Sequence, residues 1–586
     1  MGRRSRREVR ATPAAATPAP GRGWRVSLAL FALAFAVRLL YWQATPDRSW
    51  PYSVAFKGDA PVWLQYAQAL QRGLPVDLDL PIHPPGAGYL TAALWNGTVA
   101  GVGFVRFAWV AMGALVVLAF HRALLRTFPA RVAAGAAGYA AVATGLVVLS
   151  SSINNETPYL LLVAAAFAVL GGVGPPGSRV RLALWGLLNG LACLVRVEHA
   201  LFFALWLALL AWRGRAEARR TGASLGLAVF VCALALAPWH LHAWASLARF
   251  QDHPVPPGPE DAALAAMEAS LAPLAWDEGA QAALERMPRF ARRQNGLFVA
   301  ATVAHRGGTA VRAEDFAVLE DAFGYVPRPL ARRPFVSIYG PLNFALANDP
   351  AATGGFSAAP LERMPPLRPS PDRFPPALVG APPTQLAFVY PPHLRLVNDG
   401  YRIGLAHIAE DPARFGRLAA RKLAIFWSGA ASGVTGYGVP AGATGPRRAV
   451  DMVAPDGWAA VVFAIALVGA CAWGAWLARG QAAAVPWLLF LGSKVAVTIA
   501  FFGYARQGAA VIPVVALLLA LAFERATRAW PPARTRNALL AAAGICLALE
   551  TVRFVAPPAL AIDGRPVERG DPFPMAEQRD RRIDAR

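Results

Sequence analysis

Long apolar runs separated by short polar connections dominate the chain, and this pattern predicts a bundle of membrane-spanning helices. About 20 apolar residues are needed to cross a bilayer as an α-helix. Residues 86–100 are apolar but rich in glycine, so they predict a short interfacial or re-entrant helix instead. The candidate spans are 24–43, 103–122, 131–149, 157–173, 181–195, 199–212, 223–243, 456–478, 483–502, 508–525 and 536–555.

Arginine in the short connections predicts how these helices are oriented. Cytoplasmic loops of membrane proteins collect Lys and Arg. With a cytoplasmic N terminus, the inside connections 122–131, 174–181, 213–220 and 524–535 all carry Arg, whereas the outside connections hold mixed charge and much Pro. The sequence therefore predicts about 11 spans with an extracytoplasmic C terminus.

Composition supports the membrane class and limits the possible partners. The chain is 56% hydrophobic and only 16% charged, with 57 Lys and Arg against 35 Asp and Glu. Soluble domains are closer to one quarter charged. Anionic lipid head groups and the bias of cytoplasmic loops account for the net charge of +22. We therefore expect the chain to contact membrane lipids and not to bind nucleic acid.

The alternation of apolar and polar segments divides the chain into five predicted parts. Residues 412–427, in the middle part, are basic and amphipathic and predict a helix on the membrane surface. The parts are a disordered basic cytoplasmic tail (1–23), an N-terminal transmembrane module (24–243) with the first outer loop at 44–102, an extracytoplasmic domain (244–430), a C-terminal transmembrane module (431–555) and an extracytoplasmic tail (556–586).

Asp59, in the first outer loop, is the first candidate for chemistry. Trp63, Tyr66 and Leu70 follow at helical spacing, so Asp59 should lie near the start of a short helix over residues 60–72, close to backbone N–H groups. Transfer of a group to a hydroxyl or an amine needs a base that takes the acceptor's proton, and a carboxylate is a usual choice. The alternative is an ordinary solvated loop aspartate.

Several motifs follow Asp59 in a fixed order. The predicted helix ends at Gly73, His83-Pro84-Pro85-Gly86 leads back to an apolar run, and three further motifs come later: Ser151–Glu156, Gly190–Arg196 and Phe501–Arg506. Together they resemble the outer-loop motifs of GT-C glycosyltransferases, in particular the dolichyl-phosphate-mannose protein mannosyltransferase-like branch that includes the lipid A aminoarabinose transferases. Gln507 departs from this pattern, since many members have a second basic residue there.

The resemblance implies an all-α polytopic membrane glycosyltransferase with an extracytoplasmic mixed domain. Its donor would be a sugar on a polyprenyl phosphate, with the lipid between spans and the phosphate at the outer face of the bacterial inner membrane. Its acceptor would be a protein, a lipid or an envelope glycan. Asp59 would deprotonate the acceptor for in-line attack at the anomeric carbon, with inversion.

Cations at the outer face are candidates for binding the departing phosphate, on which negative charge accumulates. Lys57, Arg196 and Arg506 are predicted on that face. For Arg196 the alternative is an ion pair with Glu198, and for Arg506 it is a side chain that snorkels from the end of a span.

His83, Glu156 and Glu198 complete the predicted donor-binding set. His83 either bonds the phosphate, orients Asp59 or caps the Pro-Pro turn, and Glu156 either holds a sugar hydroxyl or caps the next span. No metal is expected, because Asp59 has no Asp-x-Asp partner and Asp77-Leu78-Asp79 predicts a solvated turn. No cofactor is expected, since the lipid-linked sugar is a substrate.

A transporter or flippase for a lipid-linked or anionic substrate is the alternative function. Transporters place ionisable residues near mid-membrane and often contain broken helices. Here the predicted spans are nearly free of charge, with Arg38 and Lys494 as exceptions, and the other candidate residues lie at one face. This distribution favours chemistry at the membrane surface.

Overall fold

The computed structural model is almost entirely helical in the part of the chain that it describes. Its long apolar helices are those of a membrane protein. The described residues are 20–44, 59–74, 76, 80–98, 101–170, 178–252, 261–330, 334–357, 361, 386, 388–431, 457–528, 531–534, 536–538, 540–541, 561–562 and 565–566.

The first half of the chain forms ten helices within the described residues: α1 (Pro20–Ala44), α2 (Ala60–Gln71), α3 (Gly86–Leu94), α4 (Gly101–Leu124), α5 (Ala130–Val142), α6 (Thr144–Ser150), α7 (Glu156–Leu170), α8 (Arg179–Val195), α9 (His199–Arg213) and α10 (Ala218–Asp252). A 3-10 turn, Arg215–Glu217, precedes α10. Helix α10 continues past residue 243, where the sequence predicts the start of the outer domain.

The second half begins with a region of short helices and ends with a further helical bundle. Its helices are α11 (Asp261–Leu271), α12 (Glu278–Arg286), α13 (Arg289–His305), α14 (Ala317–Phe323), α15 (Tyr339–Asn348), α16 (Pro391–Glu410), α17 (Pro412–Ala431), α18 (Gly457–Ala478), α19 (Val485–Ala500), α20 (Ala505–Ala510) and α21 (Ile512–Thr527). Strands β1 (Ala275–Trp276) and β2 (Ala310–Val311) pair in parallel, β3 (Ala561–Ile562) and β4 (Arg565–Pro566) pair antiparallel, and Ala313–Phe316 is a 3-10 turn.

Three described helices, α1, α4 and α10, are long and apolar enough to cross a membrane, and the bent pair α5–α6 would make a fourth. The predicted number of about 11 spans is not confirmed. Several predicted spans form shorter apolar helices, such as α7, α9 and α19. The predicted span 508–525 is divided between α20 and α21, and most of 536–555 lies outside the described residues.

The bend of 56° between α5 and α6 is stabilised by Arg38 of α1. A break in a helix leaves backbone carbonyls without their usual partners. The buried guanidinium of Arg38 donates to the carbonyl of Ala141 at 2.7 Å and that of Ala140 at 3.4 Å, and to Oγ of Ser150 at 3.1 Å. This exceptional charge in a predicted span therefore has a structural role.

The largest apolar core joins α1, α4–α10 and α17–α21. Residues 261–410, which we call the inserted region, contain one smaller core and most of a second, to which Leu80, Ile82 and Leu247 also contribute. Phe502 packs in one of these smaller cores, so the inserted region contacts the turn between α19 and α20.

Helix α17 packs against α20 rather than standing alone as an amphipathic surface helix. A Cβ at Gly508 would lie 1.6 Å from the carbonyl oxygen of Phe426, and one at Gly429 would lie 1.6 Å from that of Ala505. Only glycine permits this approach, because any larger residue would overlap the opposing backbone. The contact fixes the position of α20, the helix that carries Arg506.

Candidate active site

Carboxylates and cations alternate in a continuous cluster at one end of the helices. Ion pairs join neighbouring members throughout, with Nε of Arg506 3.3 Å from Oε1 of Glu156 and Nζ of Lys494 3.2 Å from Oε1 of Glu198. In order, the cluster is Asp59, Arg506, Glu156, Arg196, Glu198 and Lys494.

The cluster is open at the Asp59 end and closed at the Lys494 end. The exposed fraction of the side chain is 31% for Asp59 and 17% for Arg506. It is 0% for Glu156, 8% for Arg196, 17% for Glu198 and 2% for Lys494. Asp59 is therefore the most exposed member of the cluster, and Lys494 at the other end is buried.

Asp59 lies at the N-cap position of α2, as the helical spacing predicts. The helix is anchored by the buried side chains of Trp63 and Tyr66, and it ends where Gly73 adopts a φ of +66°. The Asp59 side chain makes no capping hydrogen bond, and its carboxylate instead accepts a hydrogen bond from Arg506. Local structure therefore presents this carboxylate to another part of the chain.

Glu156 is the first residue of α7, and its side chain is fully buried. Helix N-termini favour negative charge. Because Oδ1 of Asn154 accepts the N–H of Thr157 at 2.9 Å, Asn154 supplies the cap and Glu156 is free to turn towards Arg506 and Arg196. Oε2 of Glu156 has no hydrogen-bond partner among the described residues.

Arg196 and Glu198 occupy the short link between α8 and α9. Arg196 pairs with both Glu198 and Glu156, and its NH1 donates to Oδ1 of Asn155 at 3.3 Å. The Arg196–Glu198 ion pair that the sequence left open is thus present. Burial alone would raise the pKa of Glu198, but the charges of Arg196 and Lys494 outweigh it and hold that pKa well below its usual range.

Arg506 lies in the first turn of α20, immediately after Tyr504 at the N-cap and Ala505. Its guanidinium carbon lies 4.8 Å from the centre of the Tyr504 ring. Burial raises the pKa of the Tyr504 hydroxyl to about 12, so this group is neutral at physiological pH. The ion pairs of Arg506 with Asp59 and Glu156 give it more than the role of a snorkelling side chain.

Lys494 is the member of the cluster that the sequence-based prediction missed. It lies in α19, where Nζ is 4.3 Å from the centre of the Tyr159 ring and pairs with Glu198. A lysine within an apolar helix is costly unless it has a partner or a function. Lys494 is also one of only three lysines in the chain. These two signals could have identified it.

Of the remaining predicted residues, His83 lies near α2, and the others fall outside the part of the chain that the structure describes. His83 packs edge-on against the rings of Trp63 and Tyr339, beside the helix that Asp59 begins. Lys57 and the Asp77–Asp79 pair lie outside the described residues. Among the residues that are described, no group of three or more His, Cys, Asp or Glu side chains is close enough to hold a metal ion.

An apolar cavity of about 540 Å³ lies beside the cluster. Val195 and Pro158 line it, and they are one and two residues from Arg196 and Glu156 respectively. The cavity therefore lies near the part of the chain that carries Glu156 and Arg196. Its other lining residues include Tyr89, Met112, Leu191 and Trp239.

Two solved membrane enzymes resemble the structure. The oligosaccharyltransferase of Archaeoglobus fulgidus, solved in the apo form and tethered to an acceptor peptide, is 14% identical over 92% of this chain, with TM-scores of 0.39 and 0.40. ArnT from Cupriavidus metallidurans bound to undecaprenyl phosphate is 17% identical over 86% of this chain and 78% of its own, with a TM-score of 0.32. This chain spans 56% of the oligosaccharyltransferase.

Both solved proteins are GT-C glycosyltransferases, the class that the sequence motifs resemble. No protein-family model matches the sequence, and no curated protein sequence matches it. Because the identities are below 20% and the TM-scores below 0.5, this similarity does not identify the activity of the chain.

Proposed function

We propose that this protein is an integral-membrane glycosyltransferase that moves a sugar from a polyprenyl phosphate to an acceptor at the outer face of the bacterial inner membrane. The observation that carries the proposal is the alternating charged cluster, which is open at Asp59 and Arg506 and bordered by an apolar cavity. A lipid phosphate needs both a cation and an apolar volume, and this location offers them together.

Arg506 is the cation that meets the donor phosphate. Arg196 and Arg506 each pair with two carboxylates, but the side chain of Arg506 is 17% exposed and that of Arg196 only 8%. A guanidinium binds phosphate through paired hydrogen bonds. When it turns to a phosphate, Arg506 releases the Asp59 carboxylate to act as a base. Lys57 and His83 remain candidates for the same phosphate.

Transfer then takes place as a single displacement. Asp59 takes the proton of the acceptor hydroxyl or amine, and the acceptor atom forms a bond to the anomeric carbon. The bond from that carbon to the phosphate oxygen breaks, and the phosphate leaves with the electron pair. One displacement inverts the anomeric centre. Arg506 stabilises the charge that develops on the leaving phosphate.

The rest of the cluster fixes the geometry of the donor site through its ion pairs. These residues are Glu156, Arg196, Glu198 and Lys494. The partnerless Oε2 of Glu156 is an acceptor for a hydroxyl of the donor sugar. Arg196 fixes Glu156 from the other side, and Lys494 fixes Glu198. The first isoprene units of the donor occupy the apolar cavity next to Val195.

The proposal includes the predicted topology: about 11 spans, a cytoplasmic N terminus and an extracytoplasmic C terminus. The cluster then lies on the outer face, and the inserted region belongs to the extracytoplasmic domain 244–430. The acceptor is a protein, a lipid or an envelope glycan.

One observation favours the alternative of a flippase or transporter, namely the broken helix pair α5–α6. Broken helices frequently surround transported substrates. Here, however, the carbonyls at the break are bonded by Arg38. The break is therefore occupied by protein groups, which favours the glycosyltransferase.

A deletion strain separates the two functions. Loss of a glycosyltransferase leaves a lipid-linked sugar in the outer leaflet, where periodate added to intact spheroplasts oxidises it, and removes one sugar from an envelope product. Loss of a flippase leaves the lipid-linked sugar in the inner leaflet, protected from periodate until the membrane is permeabilised. An unchanged lipid and glycan profile would contradict both functions. Complementation with the intact gene is the control.

A further inference from the structure

A cavity of about 330 Å³ lies in the inserted region, between α14, α15 and α16 and apart from the charged cluster. Its walls are mainly apolar, and three polar side chains reach it. A small number of polar groups in an apolar cavity is the usual composition of a small-molecule site. The residues that matter are Phe323, Leu346, Ile403, Asp349, Arg395 and His407.

Arg395 makes no hydrogen bond or ion pair with any residue that the structure describes. Asp399, one turn further along α16, pairs instead with Arg328 at 2.7 Å and with Arg402 at 3.6 Å. A guanidinium is charged at every physiological pH and presents a planar fork that fits a carboxylate. Arg395 is therefore a cation in the cavity wall without a direct ion pair to any of those residues, although Asp349 lies in the same wall.

The other two polar groups suit hydroxyls. Nδ1 of His407 is buried and has no hydrogen-bond partner in the described structure. Oδ1 of Asp349 accepts the N–H of Ala351 at 2.8 Å, which holds the carboxylate in place and leaves its second oxygen for a ligand. A buried polar atom without a partner is costly, so a ligand that bonds it gains affinity.

We propose that this cavity binds one anionic sugar of a uronic-acid type that forms part of the acceptor. Arg395 binds the carboxylate, His407 and Asp349 bond ring hydroxyls, and the Phe323 ring packs against the C–H face of the sugar. This proposal rests on the proposed function, because it assigns a saccharide to the acceptor of the same transfer reaction.

The position of the cavity suits an acceptor site. Asp349 directly follows Asn348, whose Nδ2 donates to the carbonyl of Ala500 at 2.9 Å. Ala500 ends α19, and the turn that follows leads to Arg506 in α20. A glycan held at Asp349 therefore lies on the side of the inserted region that contacts the catalytic turn.

Ligand binding to the purified full-length protein in detergent tests the site directly. The probes are the methyl glycosides of glucuronic, galacturonic and mannuronic acid, with the matching neutral glycosides for comparison, observed by saturation-transfer NMR. At least one uronoside should bind, and Arg395→Met should weaken it about tenfold or more. His407→Phe should also weaken it, whereas Arg402→Met, an exposed arginine of the same helix, should not.

Four results would overturn the site. Three concern the ligands: no uronoside binds, the neutral glycoside binds equally well, or the peptide Glu-Glu-Glu binds more tightly than any sugar. The fourth is equal binding by the wild type and by folded Arg395→Met and His407→Phe variants. Failure of the transferase proposal is distinguishable, because uronoside binding would then persist without sugar transfer. Binding by an Asp59→Asn variant should be unchanged.

Discussion

Lys494 and Lys422 are both almost fully buried, but their partners differ in charge. Lys494 pairs with Glu198 and stands at the closed end of the alternating cluster. Nζ of Lys422 donates to Oδ1 of Asn348 and to the carbonyl of Ile499, both at 3.0 Å, and both are neutral oxygens. One lysine belongs to a charge-balanced cluster, and the other joins the inserted region to the end of α19.

The contrast shows that burial of a cation does not by itself identify a functional site. Lys422 has no ion pair among the described residues. It links α17 to Asn348 in the inserted region and to Ile499 near the end of α19. The charged cluster has exposed members, a partnerless carboxylate oxygen and an adjacent cavity. These three features, rather than buried charge, make the cluster the candidate for catalysis.

The largest expected difference between the charged cluster and the Lys422 contacts is in the rate of sugar transfer. Arg506→Gln removes the charge that we propose stabilises the leaving phosphate, so sugar transfer should fall by about 10²–10³-fold. Lys422→Met should reduce transfer by less than about tenfold, because Lys422 acts only through the position of the turn. Transfer rates from extracted lipid-linked donor measure both. Equal losses in the two variants would remove the distinction.

The second expected difference is in coupling energy, which double-mutant cycles measure for the Lys494–Glu198 pair and for the Lys422–Asn348 pair. Lys494→Met leaves Glu198 with Arg196 as its remaining cation and should lower the free energy of unfolding by about 2 kcal/mol. The coupling of Lys494→Met with Glu198→Gln should be about 1 kcal/mol or more. The matched cycle of Lys422→Met with Asn348→Ala should give less, because Asn348 is uncharged.

Unfolding in mixed detergent micelles measures both cycles. The comparison would lose its electrostatic basis if the Lys422–Asn348 coupling were the larger one.

The smallest expected effect is a dependence of stability on pH that comes from Lys422. Burial, and then the charge of Arg414, lowers the pKa of Lys422 to about 8, below its ordinary value of 10.5. Between these values the unfolded chain binds a proton that the folded protein lacks, so this group makes folding more favourable as pH rises from 8 to 10.5.

The unfolding midpoint of the wild type should therefore rise relative to that of Lys422→Met over this pH range. The exposed neighbour Arg421 provides a control, since Arg421→Met should leave the wild-type profile unchanged. A constant difference between wild type and Lys422→Met would show that Lys422 does not titrate there.

The sequence anticipated most members of the cluster but not how they are joined. Asp59, Glu156, Arg196, Glu198 and Arg506 were all predicted on one face, because each lies at a break between apolar and polar segments. The pairing of Arg506 with Asp59 and Glu156 depends on the packing of α17 against α20, where Gly429 and Gly508 meet backbone carbonyls. No local pattern reveals such a contact between distant segments.

The role of Lys494 in the cluster and the bend at α5–α6 were missed for a related reason. The sequence shows Lys494 as a charge in an apolar run but not its partner, and a window of about 20 residues averages out a single break. Their partners, Glu198 and Arg38, are distant in sequence. The roles of Lys57, His83 and the extracytoplasmic tail remain predictions.

The most direct test of the central proposal is the rate of sugar transfer by the Asp59→Asn variant under single-turnover conditions. The donor is the lipid-linked sugar that accumulates in the deletion strain. Transfer should fall by about 10²–10⁴-fold while binding of the donor lipid persists, because only the proposed base is lost. A control variant, Glu314→Gln, changes an exposed carboxylate outside the cluster and should transfer normally. Full transfer by a folded, donor-binding Asp59→Asn protein would contradict the proposed role of Asp59.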